Sequence, residues 1–219
     1  MTRQLQVEVK FDFICPWCLI GQRQLNRALA ALRAEQPGMA VQVHWRGVQL
    51  LPDVPAAGLP FVEFYKRRLG SEAAMRQRQE QVLRAAEAAG GRVDYSAIAI
   101  MPNTADAHRL LAHASRHGTV AQRDALLERL FRAYFEQGED LGNSEVLLAH
   151  GVACGFERAA LRRELRGARV PFVAYGAGDG NSGVPLFTFD ARLTLSGARP
   201  HDVLLGAMRH ALATAPASV

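Results

Sequence analysis

Leu5-Gln6-Val7-Glu8-Val9-Lys10-Phe11-Asp12-Phe13-Ile14-Cys15-Pro16-Trp17-Cys18 is the stretch that decides the fold. From Leu5 to Phe13, apolar and polar residues alternate strictly, the period of a strand with one buried face. The pattern then changes. Leu25, Ala28, Leu29 and Leu32 recur at i, i+3, i+4 and i+7, the stripe of an amphipathic helix. Pro16 suits the first turn of that helix, where its missing N–H costs nothing. Pro37-Gly38 closes the segment, and Val41, Val43 and Trp45 read as a second strand. The opening is therefore β-α-β, which implies parallel strands joined by a right-handed crossover.

Further along, the period becomes helical from about Pro60 to Leu165. Phe61, Phe64 and Tyr65 begin one helix, and Met75, Val82, Leu83 and Ala86 share a face of the next. Ala107, Leu110, Leu111 and Ala114 form another face, closed by Gly118. Thr119-x-x-Gln122 has the form of a capping box, and Asn143 that of an N-cap. No strand signal competes in this stretch. Strands return with Val184-Pro185-Leu186-Phe187-Thr188-Phe189, where Asp190-Ala191 can turn the chain back into Arg192–Leu195. Gly197 breaks the chain and Pro200 opens a last helix, with Val203, Leu204, Ala207, Met208, Ala211 and Leu212 inward. Gly176, Gly178, Gly180 and Gly183 read as a loop.

The order β-α-β, helical block, β-β-α builds one α/β sheet from both ends of the chain. The expected division is a discontinuous sheet domain of residues 1–55 and 168–219, with an inserted helical domain of residues 56–167. In a sheet ordered 2-1-3-4, the third strand runs antiparallel beside the first. That brings Val184-Pro185 next to Cys15.

The chain has 219 residues, 49% hydrophobic and 21% charged, which excludes a disordered or fibrous protein. Three cysteines exclude a disulfide scaffold. The net charge of +5 is spread over arginines, with only Lys10 and Lys66 as lysines. It reads as solvated helix faces rather than a nucleic-acid interface. No apolar run is long enough for a membrane span. The N-terminus has no apolar signal core, so a cytoplasmic location is expected.

Cys15-Pro16-Trp17-Cys18 carries the chemistry. A CxxC is also half of a zinc site, but no second such pair accompanies it. His113 and His117 have ligand spacing, without a third partner. At the first turn of a helix, Cys15 stands where amide groups and the helix dipole favour a thiolate. Cys18, one turn on, shares the inward face and should be shielded. Cys15 then attacks a disulfide and Cys18 resolves the mixed disulfide. No metal or permanently bound cofactor is expected. Cys154 reads as a small buried hydrophobe, the alternative being a regulatory thiol or an intermolecular bridge. Asp12 either relays protons or ends the strand. His108 reads as solvated or near an N-cap, or, by the resemblance given below, as approaching the cleft; Tyr65 and Trp45 read as core.

The sequence resembles the FrnE-like branch of the DsbA family, thioredoxin-fold proteins with an inserted helical domain. The matching residues are Phe11-Asp12-Phe13-Ile14-Cys15-Pro16-Trp17-Cys18 with Gly21, then Ser182-Gly183-Val184-Pro185 with Phe187. Asn103-Thr104 with Ala107-His108-Arg109-Leu110, Ala133-Tyr134-Phe135 with Gly138 and Asp140, and Ser196-Gly197-Ala198 extend the match. The resemblance implies a thioredoxin-like fold and a protein disulfide oxidoreductase or isomerase with a cis peptide before Pro185. It implies a helical roof that brings Asn103 and Thr104 to a substrate site with Pro16, Trp17, Val184 and Pro185. The glycine-rich stretch 176–183 departs from the helix expected there. Because Pro16-Trp17 lacks a histidine, the couple should be less oxidising than the value of about −120 mV for DsbA itself.

Kappa-class glutathione transferases and hydroxychromene-carboxylate isomerases share the resemblance, with serine in place of Cys15. Glutathione-dependent isomerisation or transfer is thus the alternative function, and glutathione a candidate co-substrate. A non-catalytic module that binds unfolded chains is a third class. The expected partners are protein or small-molecule disulfides. The substrate, the direction of electron flow and the choice between monomer and homodimer stay open at this level.

Overall fold

The computed structural model describes residues 4–167, 170–172 and 183–214. Strand β1 (Gln4–Phe11) leads through a tight turn to helix α1 (Pro16–Glu35), which returns to β2 (Ala40–Gly47). β1 and β2 are parallel, in register from Gln4 opposite Ala40 to Phe11 opposite Gly47. Much later, β5 (Leu186–Phe189) pairs antiparallel with β1, placing Phe187 opposite Val9. β6 (Leu193–Ser196) completes the sheet in the order β2-β1-β5-β6, and α8 (His201–Ala213) packs against α1. This is the predicted order. The hairpin turns at Asp190 and Ala191, both with positive φ (48° and 55°).

Between β2 and β5 the described chain forms α2 (Phe61–Leu69), α3 (Glu72–Ala88), α4 (Ala105–His117), α5 (Val120–Phe135), α6 (Ser144–Ala153) and α7 (Arg158–Glu164). Local chemistry sets their starts. Ser71 accepts the Ala74 amide at the head of α3, and Asn143 accepts that of Glu145 at α6. Thr119 and Gln122 form both bonds of a capping box at α5. The expected divisions after residues 55 and 167 lie between elements, before α2 and after α7.

Three expectations are corrected. A small antiparallel ladder, β3 (Leu59–Pro60) with β4 (Ile100–Met101), lies in the stretch read as wholly helical. Two residues per strand are too few to show a period. Leu83 is 39% exposed, one position off the stripe that buries Val82 and Ala86. Val203 is 43% exposed, beside Asp202 on the outer face of α8. Of the glycine-rich stretch 176–183, only Gly183 is among the described residues.

Two hydrophobic clusters meet at β1. Leu5, Val7 and Val9 pack with Leu25, Leu29 and Leu32 of α1, Phe187 and Phe189 of β5, and Leu204 and Met208 of α8. Phe11, Phe13, Cys15 and Cys18 instead join Leu110, Leu130, Phe131 and Tyr134 of the helical block.

Candidate active site

Cys15 is the N-cap of α1, in extended conformation (φ −90°, ψ 109°), with Pro16 in the first turn. Its amide donates to the Asp12 carbonyl (3.2 Å), and its carbonyl accepts the Cys18 amide (2.9 Å). The loop between β1 and α1 is thus closed by its own backbone. Cys15 is 8% exposed and Cys18 1%. Both are free thiols here, one helical turn apart.

Their environments differ. Burial pushes the Cys18 thiol well above its ordinary range, and the adjoining Cys15 pushes it further. Cys15 lies on the wall of a cavity of about 310 Å3. Its thiol donates to the Val184 carbonyl (3.8 Å), and the Val184–Pro185 peptide bond is cis. Close approach of that strand to α1 depends on Gly21. A Cβ there would lie 3.0 Å from both Pro185 Cγ and Phe187 Cζ, tighter than almost all real contacts.

Pro16, Trp17, Phe61, Phe64, Tyr65 and Tyr95 make much of the cavity wall. Tyr65 therefore faces the site rather than being simple core. Burial pushes its hydroxyl up to about 12, and that of Tyr95 higher still. Both phenols stay protonated donors at neutral pH. Arg78 lies over the Trp17 ring, 5.1 Å from its centroid, and Arg68 over Phe64 at 6.0 Å. Trp45 is half-buried and packs edge-on against Phe11.

Asn103 and Thr104 do not line this cavity. Both are buried at the start of α4. The Asn103 side chain donates to the Val54 carbonyl (2.6 Å) and accepts from Gln49 Nε2 (2.8 Å) and the Ala105 amide (3.0 Å). With its amide group so engaged, Asn103 braces the loop after β2 against α4. Thr104 is the N-cap residue but makes no side-chain cap bond.

His108 stands in the first turn of α4, after the Thr104 N-cap, but is not solvated. It is 2% exposed, and its Nε2 donates to Asp12 Oδ1 (2.9 Å). Asp12, fully buried, also accepts the Leu50 amide at Oδ2 (2.8 Å). Asp12 thus does more than end the strand: it anchors both the loop after β2 and α4. The His108 ring sits against Phe13 and Phe172, and its Nδ1 has no hydrogen-bond partner among the described residues. The sequence held one clue in Gly47, where a Cβ would lie 2.3 Å from His108 Nδ1. A second buried pair, Arg109 with Asp106, was not foreseen. Asp106 also accepts the amides of Arg166 (2.9 Å) and Gly167 (2.8 Å), tying the chain after α7 to α4.

Cys154 caps the C-terminus of α6 and is half-buried, and burial raises its thiol. The rings of His113 and His117 lie 4.6 Å apart, tilted to one another by 42°, and His113 Nδ1 faces Glu164 at 3.4 Å. Among the described residues, no group of three or more His, Cys, Asp and Glu could hold a metal ion. No helix among them is long and apolar enough to cross a membrane.

Several solved structures share this architecture. A probable DsbA oxidoreductase from Streptomyces coelicolor is 26% identical, with a TM-score of 0.82, covering 98% of this chain and 93% of its own. The cytosolic disulfide reductase DsbM from Pseudomonas aeruginosa is 19% identical, with a TM-score of 0.56 and coverage of 96% and 100%. A 2-hydroxychromene-2-carboxylate isomerase is 16% identical, with a TM-score of 0.58 and coverage of 94% and 95%. At such identities the last two show a common fold alone. No curated protein matches the sequence. Residues 6–209 match the DSBA-like thioredoxin domain, and the chain belongs to that family.

Proposed function

We propose that the protein is a thiol–disulfide oxidoreductase in which Cys15 attacks and Cys18 resolves. One observation carries this reading. Cys15 sits at the N-cap of α1 on a cavity wall, while Cys18 is sealed one turn deeper. The first-turn amides favour a thiolate at Cys15. That thiolate forms a bond to one substrate sulfur and expels the other as a thiolate, which takes a proton from solvent. Cys18 then gives up its proton, bonds to Cys15 and releases the second thiol, so two electrons leave the pair. Closing a bond one helical turn away is intramolecular and needs no second encounter. Pro16 and Trp17, which line the cavity with Cys15, and Val184 and Pro185, the first of which accepts the Cys15 thiol at its carbonyl, are the proposed substrate contacts.

With Pro16-Trp17 between the sulfurs, the couple is proposed to be less oxidising than about −120 mV, so the protein works in the cytosol as a reductase or isomerase. Glutathione is proposed as co-substrate rather than resident cofactor. Support comes from the Pseudomonas aeruginosa reductase, which carries this fold, is described as cytosolic and has been solved with GSH. Glutathione-dependent isomerisation is the second reading, favoured by the shared fold of the hydroxychromene-carboxylate isomerase.

The test is Cys15→Ser. Insulin reduction and RNase reshuffling should vanish, while a Cys18→Ser variant should accumulate a mixed disulfide. Equilibration of the wild-type pair with glutathione buffers should give a potential below that of DsbA. A couple that never equilibrates, or insulin reduction that survives in Cys15→Ser, sinks the redox reading.

A further inference from the structure

The cavity beside Cys15 has a chemistry more specific than a disulfide-exchange site requires. Its walls are aromatic and aliphatic: Trp17, Phe61, Phe64 and Tyr95 with Leu50 and Val82. Its volume of about 310 Å3 is at the small end of ligand pockets, room for one ring system rather than a folded chain. Two guanidinium groups border it. Arg78 lies over Trp17 and Arg68 over Phe64, and among the described residues neither is paired with a carboxylate. Arg78 makes one side-chain hydrogen bond, to Gln81 Oε1 (3.1 Å). The nearby acid of α3, Glu72, is already held by Lys66 and Arg76. A guanidinium lying on a ring keeps its N–H edge free for an oxyanion. Tyr65, whose hydroxyl burial keeps protonated, adds a neutral donor to the same wall.

We infer that this cavity selects small disulfides with an aromatic body and a carboxylate, the ring lying among Trp17, Phe61 and Phe64 and the carboxylate on Arg68 and Arg78. The inference rests on the redox reading of Cys15 and Cys18. In the reaction, the Cys15 thiolate bonds to one sulfur of the aryl disulfide, whose S–S bond breaks and releases an aryl thiolate. Cys18 loses its proton to solvent, bonds to Cys15 and displaces the second aryl thiolate. The dithiol is oxidised and the aryl disulfide is reduced by two electrons to two aryl thiols.

The experiment compares three oxidants on the reduced full-length protein: dithiobis(nitrobenzoate), neutral dithiodipyridine and glutathione disulfide. Each kcat/KM is divided by the rate of the same oxidant with free dithiothreitol, which removes intrinsic reactivity. The normalised order should be carboxylated aryl, then neutral aryl, then glutathione disulfide. The first should exceed the second by about tenfold, as two part-exposed cations can supply. Arg68→Met/Arg78→Met should erase that preference, chiefly through KM. Arg84→Met, on the same helix but outside the cavity, should keep it and so exclude a general charge effect. A preference that survives the double variant, or glutathione disulfide ranking first, overturns the inference and leaves the redox reading standing. If none of the three reacts, both fall together.

Discussion

The two ends of β1 belong to different parts of the molecule. Its residues Leu5, Val7 and Val9 are buried by the helices α1 and α8 and by the neighbouring strand β5. Its last residue Phe11 and the turn residues Phe13 and Cys15 are buried by helices inserted a hundred residues later. One alternating strand therefore feeds a scaffold at one end and the candidate active site at the other. The cover over the sulfurs comes from the insertion, so stability and reactivity can be separated by choosing where along the strand to cut.

The largest effect should come from deleting a buried ring at either end. Phe11 touches Phe13, Trp45, His108 and Phe131, while Phe189 lies in the scaffold cluster. Truncation of either to Ala should cost about 3–5 kcal/mol in denaturant unfolding. Only Phe11→Ala should also speed native-state alkylation of Cys18; equal rates in both variants would erase the distinction between the two ends. Next in size is Asp12→Ala, which strands the Leu50 amide and His108 Nε2 and should cost about 2–3 kcal/mol. Phe13 and Cys15 should become more accessible to quenchers and alkylating agents in that variant.

A third effect is set by pH. Cys18, Tyr65, Tyr95 and Tyr134 are all held protonated mainly by burial. An unfolded chain releases thiol and phenol protons near about 8.5 and 10, respectively. The folded protein retains them longer, so above about 8.5 the unfolded state binds fewer protons and stability falls as pH rises. The share from Tyr65 should continue to about 12, and those from Tyr95 and Tyr134 beyond it. Thermal melts of reduced protein against pH, read beside tyrosinate absorbance, check the direction. A melting temperature that rises from pH 8.5 to 10.5 contradicts it. The smallest effect lies at the scaffold end. Ala191 holds a left-handed conformation (φ 55°) that Cβ disfavours, so Ala191→Gly should stabilise the protein by about 0.5–1 kcal/mol without changing disulfide exchange.

Much of the scaffold was legible because its elements carry one period each. β1 alternates, α1 shows a clean stripe, and Thr119 with Gln122 marks a helix start by side-chain chemistry alone. The CxxC was legible for the same reason, as a motif placed by the strand and helix that flank it. What escaped was decided by partners distant in sequence. The first two turns of α4 are buried on every side, from Ala105 to Leu111, so no stripe distinguishes His108 from a solvated residue. Asn103 looked like a site residue because it travels with the motif, but the carbonyl of Val54 and the side chain of Gln49 claim its amide. Tyr65 looked like core because an aromatic at helical spacing usually is; only the cavity between α2 and α3 shows otherwise.

The origin of the cavity wall has a consequence for how such proteins diversify. Apart from Ile14–Trp17 and Leu50-Leu51, every lining residue lies between Phe61 and Tyr95, a single contiguous stretch. The two thiols are positioned elsewhere, by the first strand, the first helix and the segment around Pro185. The proposed substrate wall is thus an exchangeable cassette: swapping that stretch between homologues should transfer preference while the proposed Cys15–Cys18 couple stays as it is.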